Sequence, residues 1–284
     1  YSPSEGAAQA LLETEEEPLS EGLRVLLVGD AVGRPGRRAL KKILPAWKRD
    51  GRADFVIANG ENSAHGKGVS SETAREMFDA GADVITTGNH VWDNKDVFAI
   101  INQEERLIRP ANYHPAAEIP GRGHGVFSCP STGLRIGVMN LLGRVMMDAL
   151  ECPFRTARAL AQQMRQQTSI IFVDFHAEAT SEKTALGWYL DGHVTCLFGT
   201  HTHVQTADER LLHNGTAYIS DIGMTGSHDS VIGMKYESVI DRFLRGMPSR
   251  FEVAEENVRL NGALVTVDPL TGRALSIERV SEKA

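Results

Sequence analysis

Apolar runs recur along the first two thirds of the chain, at residues 23–28, 55–58, 84–86, 134–142, 170–175 and 194–198, each of a length and continuity that suits a buried strand. Between most of them the apolar positions take helical spacing. Residues 37–49 follow Pro35 and Gly36, and residues 71–80 open at a capping serine and stop at Gly81, which tolerates the left-handed conformation that ends helices. Further helices are predicted over 95–102, 154–167, 182–190 and 236–244. This alternation predicts an α/β layered domain. Beyond about residue 215 strands follow at 217–220, 258–267 and 275–280, with Asn261-Gly262 and Thr271-Gly272 as turn signals. That pattern predicts a second, largely antiparallel sheet packed in the same domain.

With 284 residues, 42% of them hydrophobic, the chain can bury a sizeable core without covalent staples. Cys129, Cys152 and Cys196 are widely spaced and form no Cys-x-x-Cys pair, which argues against a structural zinc or a redox centre and for a reducing, cytoplasmic compartment. No apolar run reaches the roughly 18 residues that a membrane helix needs. The start lacks the basic residues and apolar stretch of a targeting signal. Six of the glutamates lie in residues 1–21, which hold no Lys or Arg, so most of the net charge of -7 sits there. Residues 1–20 are therefore expected to form a disordered acidic tail ahead of a single domain over 21–284. The near-neutral remainder predicts no extended nucleic-acid surface; an anionic substrate would have to be drawn by a local positive charge, such as bound metal ions.

The informative positions lie just past the early strands. Asp30 comes after VLLVG, Glu61 and Asn62 after FVIANG, Asn89 after VITTG, His176 after IFVDF, and His201 and His203 after CLFGT. Taken singly, each has an ordinary reading: an Asp caps a helix, an Asn makes a turn, a His packs or faces water. Five strand ends that all carry metal-binding side chains point instead to one crevice at the carboxyl edge of a sheet. The stretch GDAVGRPG lacks both the P-loop ending and the dinucleotide spacing, so Gly33 and Gly36 are read as loop geometry, and no Gly-x-Ser-x-Gly elbow supports a serine hydrolase.

The segments GDAVGRPGR, NGENSAHGKG, GNHVWD, DFHAEATSEK and GTHTHVQTAD, in this order, resemble the YmdB-like branch of the calcineurin-type metallophosphoesterases over most of residues 23–284. The wider superfamily begins with Asp-x-His and bridges its metals with an Asp. Here Asp30-Ala31-Val32 and Glu61-Asn62 stand in those places, which is the mark of the branch. The resemblance implies a layered α/β/β/α sandwich of the calcineurin-like type. It implies a first metal held by Asp30, Glu61, Asn62 and His203, and a second held by Glu61, Asn89, His176 and His201. Iron (Fe2+/Fe3+) is favoured, then Mn2+, with Zn2+ also suited to these donors. Two metals about 3.5–4 Å apart lower the pKa of a bridging water, so the implied nucleophile is a metal-bridging hydroxide.

The implied reaction is hydrolysis of small phosphodiesters, 2',3'-cyclic nucleotides above all, by a homo-oligomer. Alternatives with the same donors are a phosphomonoesterase or protein phosphatase, and a regulatory binding protein whose metal site is mainly structural. His90, next to Asn89, is assigned to protonating the leaving oxygen or stabilising charge, against the alternative that it only orients its neighbours. His65 is a weaker candidate for substrate contact. His114, His124, His193 and His213 are assigned to solvated loops, and Trp92 and Trp188 to packing.

Overall fold

In the computed structural model, which describes residues 22–284, the chain begins β1 (Leu23–Val28), β2 (Asp30–Ala31), α1 (Gly33–Arg49), β3 (Phe55–Asn59), α2 (Ser71–Ala80), β4 (Val84–Thr86) and α3 (Val97–Ile100). It continues through β5 (His124–Ser128), β6 (Arg135–Leu142), α4 (Pro153–Met164), β7 (Ile170–His176), α5 (Thr180–Leu190) and β8 (Cys196–Thr200). It closes with β9 (Arg210–Leu211), β10 (Ala217–Ile219), β11 (Met224–Ser227), α6 (Tyr236–Arg245), β12 (Val258–Val267) and β13 (Ala274–Lys283). The expected tail, residues 1–20, lies outside the described residues.

Two sheets pack face to face. One has the order β2-β11-β12-β1-β3-β4 with β13 beside β12, and the other the order β5-β6-β7-β8-β10-β9. Alternate residues of β1 serve two cores, because side chains on a strand point to opposite faces. Val25 and Leu27 meet Phe172, Phe198 and Ile219 between the sheets, while Leu26 and Val28 pack under α1 and α2 with Leu40, Leu44 and Met77. On the far side α4 and α5 cover the second sheet through Ala157, Ala161 and Leu186. The result is the expected α/β/β/α sandwich, and burial on both faces explains why the central strands read as continuous apolar runs. Local signals agree: the Ser70 hydroxyl accepts from the Thr73 amide in a capping box, and Gly81 ends α2 at φ 117°.

Several expectations need correction. The late strands form no sheet of their own: β12 pairs antiparallel with β1 from Leu23↔Val267 to Val28↔Gly262, whereas β10 joins β8 in parallel. Asn261-Gly262 is not a turn but part of β12, and a Cβ at Gly262 would lie 2.0 Å from the Leu27 carbonyl oxygen, so the glycine permits close approach within the sheet. Gly36 is not in a loop; α1 starts at Gly33, with Pro35 in its first turn. The helix expected over 95–102 shrinks to α3. His124 sits half-buried in β5, where burial together with Arg109 and Arg122 pushes its pKa down. Trp92 packs as expected, stacked on Phe98 at 5.2 Å, whereas Trp188 is 44% exposed beside His213.

Candidate metal centre

The carboxyl ends of β1, β3, β4, β7 and β8 converge, so both sheets contribute to one crevice. His176 ends β7, while His201 and His203 leave β8 in left-handed backbone at φ 100° and 66°. Such a conformation costs a non-glycine residue about 1–3 kcal/mol and persists only where the surroundings impose it. Here a buried ion pair imposes it. Asp221 Oδ2 accepts from the Thr202 amide (3.1 Å), the Thr202 hydroxyl (2.8 Å) and Lys183 Nζ (2.8 Å), and Lys183 also donates to the Thr200 carbonyl at 2.9 Å.

Around His176 Nε2 stand Asn89 Oδ1 at 2.9 Å, Glu61 Oε1 at 3.0 Å and His201 Nδ1 at 3.0 Å. The other ring nitrogens are engaged in ways that leave these atoms facing one another. His176 Nδ1 donates to Thr200 Oγ1 (2.9 Å), whose own hydrogen goes to the buried carboxylate of Asp174 (2.6 Å), and His201 Nε2 meets Glu178 at 3.1 Å. Asp174 also accepts from Thr86 and Asn59; burial still pushes its carboxyl up to about 6. Beside this group lies a second. His203 Nδ1 donates to the Ile232 carbonyl at 2.9 Å, which turns Nε2 to within 3.1 Å of the Asn62 amide and 3.8 Å of Asp30 Oδ1. Asn62 presents Nδ2 to Glu61 and His203; turning the amide over would present Oδ1 in the same place.

The charge distribution fits cations. Asp30 is fully buried, and its Oδ1 has no hydrogen-bond partner among the described residues. Burial pushes the Asp30 carboxyl up, offset only in part by His203 and His176. Burial pushes His176 down, yet Glu61 above all, then Asp30 and Asp174, raise it to about 9; Glu61 itself is held at about 2 against its burial by His176 and by bonds from His176 and His90. Oxygen and nitrogen donors that draw a proton onto a buried imidazole would equally draw a divalent ion, and the mixed carboxylate, amide and imidazole set suits first-row transition metals. Burial and then His176 push His201 down to about 3, which favours the neutral form that metal binding needs. A Cβ at Gly88 would fall 2.3 Å from Glu61 Oε2 and 2.4 Å from His176 Nε2, so glycine keeps that space open.

His90 joins this cluster through its backbone, whose amide donates to Glu61 Oε2 at 3.0 Å. Its ring Nδ1 bonds Asp93 at 2.8 Å, and Lys67 reaches the same carboxylate at 2.9 Å. Burial pushes Asp93 up, but the bonds from Lys67 and His90 hold it below the usual carboxylate range. Glu61, Asn62, His90, His201 and His203 are among the residues lining a cavity of ≈ 710 Å³ that opens to solvent.

All eight residues singled out in the sequence therefore come together. His65 does not: it is exposed and absent from the cavity lining. Sequence reasoning missed Asp93, Asp174, Lys183 and Asp221, which act on the cluster through other residues. The available signal was a charge inside an apolar run, as at Asp174 in IIFVDFH, and an acid just after the strand AYI, as at Asp221.

Comparison with known proteins places these residues in a wider group. The family model of YmdB-like proteins matches residues 26–280. A Bacillus subtilis protein named 2',3'-cyclic-nucleotide 2'-phosphodiesterase is 46% identical over 258 residues, covering 91% of this chain and 96% of its own. A solved structure of a hypothetical protein from Thermus thermophilus superposes with TM-score 0.85 at 39% identity, over 92% of this chain and 99% of that one. Another, from Mycoplasma pneumoniae and described as a novel phosphatase, gives TM-score 0.85 at 36% identity, over 92% and 94%.

Proposed function

Because the chain belongs to the YmdB-like protein family, we propose that it is a metal-dependent phosphodiesterase that hydrolyses small phosphodiesters such as 2',3'-cyclic nucleotides. The observation that carries this reading is the convergence of Asn89, Glu61 and His201 on His176 Nε2 at 2.9–3.0 Å, with the unpartnered Oδ1 of Asp30 alongside. Asp30, Glu61, Asn62 and His203 would hold one ion and Glu61, Asn89, His176 and His201 the other. When bound, such a pair acidifies water and neutralises phosphoryl oxygens. Iron, then manganese, with zinc third, is the order proposed for the ions; the three thiols, all free, accord with a reducing cytoplasm.

The chain's own residues do the rest. Glu61, lying between the two groups of donors, sets their spacing. Asp174 and Thr200 fix the His176 tautomer, and Ile232 fixes that of His203, so that each presents Nε2. His90, its Nδ1–H held on Asp93, would in its imidazolium form give the Nε2 proton to the ribose oxygen as the bond from phosphorus to that oxygen breaks, and be left as the neutral ring. The substrate's phosphate would enter from the open cavity, past Lys67.

The test is a substrate panel on purified protein with its metals measured. Wild type should cleave bis-nitrophenyl phosphate and 2',3'-cyclic AMP, and Glu61→Gln should lose both the metals and the turnover. A second reading, phosphomonoesterase, draws support from the Mycoplasma pneumoniae structure described as a phosphatase. Rapid cleavage of nitrophenyl phosphate with every diester left intact would decide for it.

A further inference from the structure

Besides its polar residues, the cavity has a lining of different chemistry, an apolar wall. Val231, Ile232, Met234, Val239, Phe243 and Phe251 form it, and Arg242 is its one charged side chain, with the guanidinium 5.2 Å from the Phe251 ring centroid. One contact fixes this wall to the donor cluster and another to the loop after Asn62: the Ile232 carbonyl holds His203, and Met234 packs where a Cβ at Gly66 would lie 2.6 Å from its Cε.

The wall carries a backbone feature that packing alone does not require. Val231 and Met234 exchange both backbone hydrogen bonds, and between them Ile232 and Gly233 have φ 47° and 96°, a two-residue hairpin turn with both central residues left-handed. Asn-Gly or Gly-Gly suits such a turn; a β-branched residue there is strained. The strained side chain is 52% exposed and lines the cavity, and Phe243 beyond it is 82% exposed. Large apolar groups kept at the mouth of a charged site, one at a cost in backbone strain, act on something that enters the site.

We infer that residues 231–251 form the nucleobase subsite, in which Ile232, Phe243 and Phe251 with Arg242 receive the base while the phosphate lies on the donor cluster. The inference rests on the phosphodiesterase reading. A base offers a flat aromatic face, which rings, branched side chains and a guanidinium recognise by stacking. Since Arg242 alone on this wall offers a polar side chain, recognition follows the area of the base and not its hydrogen-bonding edge. Purines are then preferred to pyrimidines, and adenine is scarcely separated from guanine.

The metal-loaded enzyme should be assayed on the four 2',3'-cyclic nucleotides and on methyl nitrophenyl phosphate, which has no base. Adenine and guanine substrates should have KM values within a few-fold of each other and about tenfold below that of the uracil substrate. Phe243→Ala, at an exposed position where folding is not at stake, should cut the ratio of kcat/KM for cyclic AMP to that for the baseless diester about tenfold. Ile232→Asn, which creates the favoured Asn-Gly turn and retains the carbonyl on His203, should melt no lower than wild type while raising KM for cyclic AMP. A role in folding alone would lower its melting temperature and leave KM unmoved. A discrimination of a hundredfold between adenine and guanine, equal efficiency on the baseless diester, or faster cleavage of a diester with an aliphatic chain would overturn the subsite. Failure of wild type on every diester would overturn the phosphodiesterase reading along with it.

Discussion

At the scale of single residues, the proposed roles of holding metal and of doing chemistry part at His90. Its side chain bonds Asp93 and faces the cavity, and only its backbone touches Glu61. His90→Ala should therefore retain metal yet slow cyclic AMP hydrolysis by roughly 10²- to 10⁴-fold, the usual worth of a positioned general acid. Nitrophenolate leaves without a proton, so the same variant should lose far less on bis-nitrophenyl phosphate. Equal losses on the two substrates, measured side by side, would point to charge stabilisation in place of proton delivery. His90 was legible in the sequence because it adjoins Asn89; Asp93, which orients it, was not, since a carboxylate three residues on has many ordinary uses.

Among elements, the exit from β8 shows how a loop with two left-handed histidines is held. Lys183 of α5 and Asp221 after β10 are 2% and 1% exposed and pair at 2.8 Å, with Thr202 bonded to the same carboxylate. Removing one member of a buried pair leaves an uncompensated charge, which typically costs about 3–5 kcal/mol. Lys183→Met should thus lower stability by that order in urea melts and, by freeing residues 200–203, reduce bound metal. Full metal content with the same loss of stability would show that the pair supports the fold without positioning the ligands. A lysine inside a helix whose hydrophobic face is ill-defined gives no outward sign of burial, which is why α5 concealed it.

For the whole molecule, the C-terminal strands belong to the first sheet. β12 lies between β1 and β13, six of its residues are in register with β1, and Val265 and Val267 enter the core between the sheets. A chain ending at residue 257 would expose the edge of the strand that delivers Asp30 and would open that core. Such a truncation should fail to give a cooperative melt by circular dichroism, whereas a second folding unit at the C-terminus would leave the remainder folded. Metal enters at this scale too. Ions that bind only the folded cluster stabilise by mass action, by about 2.7 kcal/mol at a hundred times Kd, so chelation should lower the melting temperature and Mn2+ should restore it.

Apolar runs, capping residues and the polar side chain after each strand were properties of local sequence, and they determined the longer core strands, most helices and the residues of the donor cluster, though not β2, β5, β9 or β11. Periodicity carries that information because it depends on near neighbours along the chain. Which strands share a sheet was decided elsewhere: residues 23–28 could find partners at 262–267 only when the chain had closed on itself, and Asn261-Gly262, a turn by composition, became strand interior there. The tertiary structure likewise decided that Lys183 meets Asp221 and that Ile232 accepts a left-handed backbone beside His203. Those contacts join residues far apart in sequence, and their free energy comes from burial and hydrogen bonding that no local window contains.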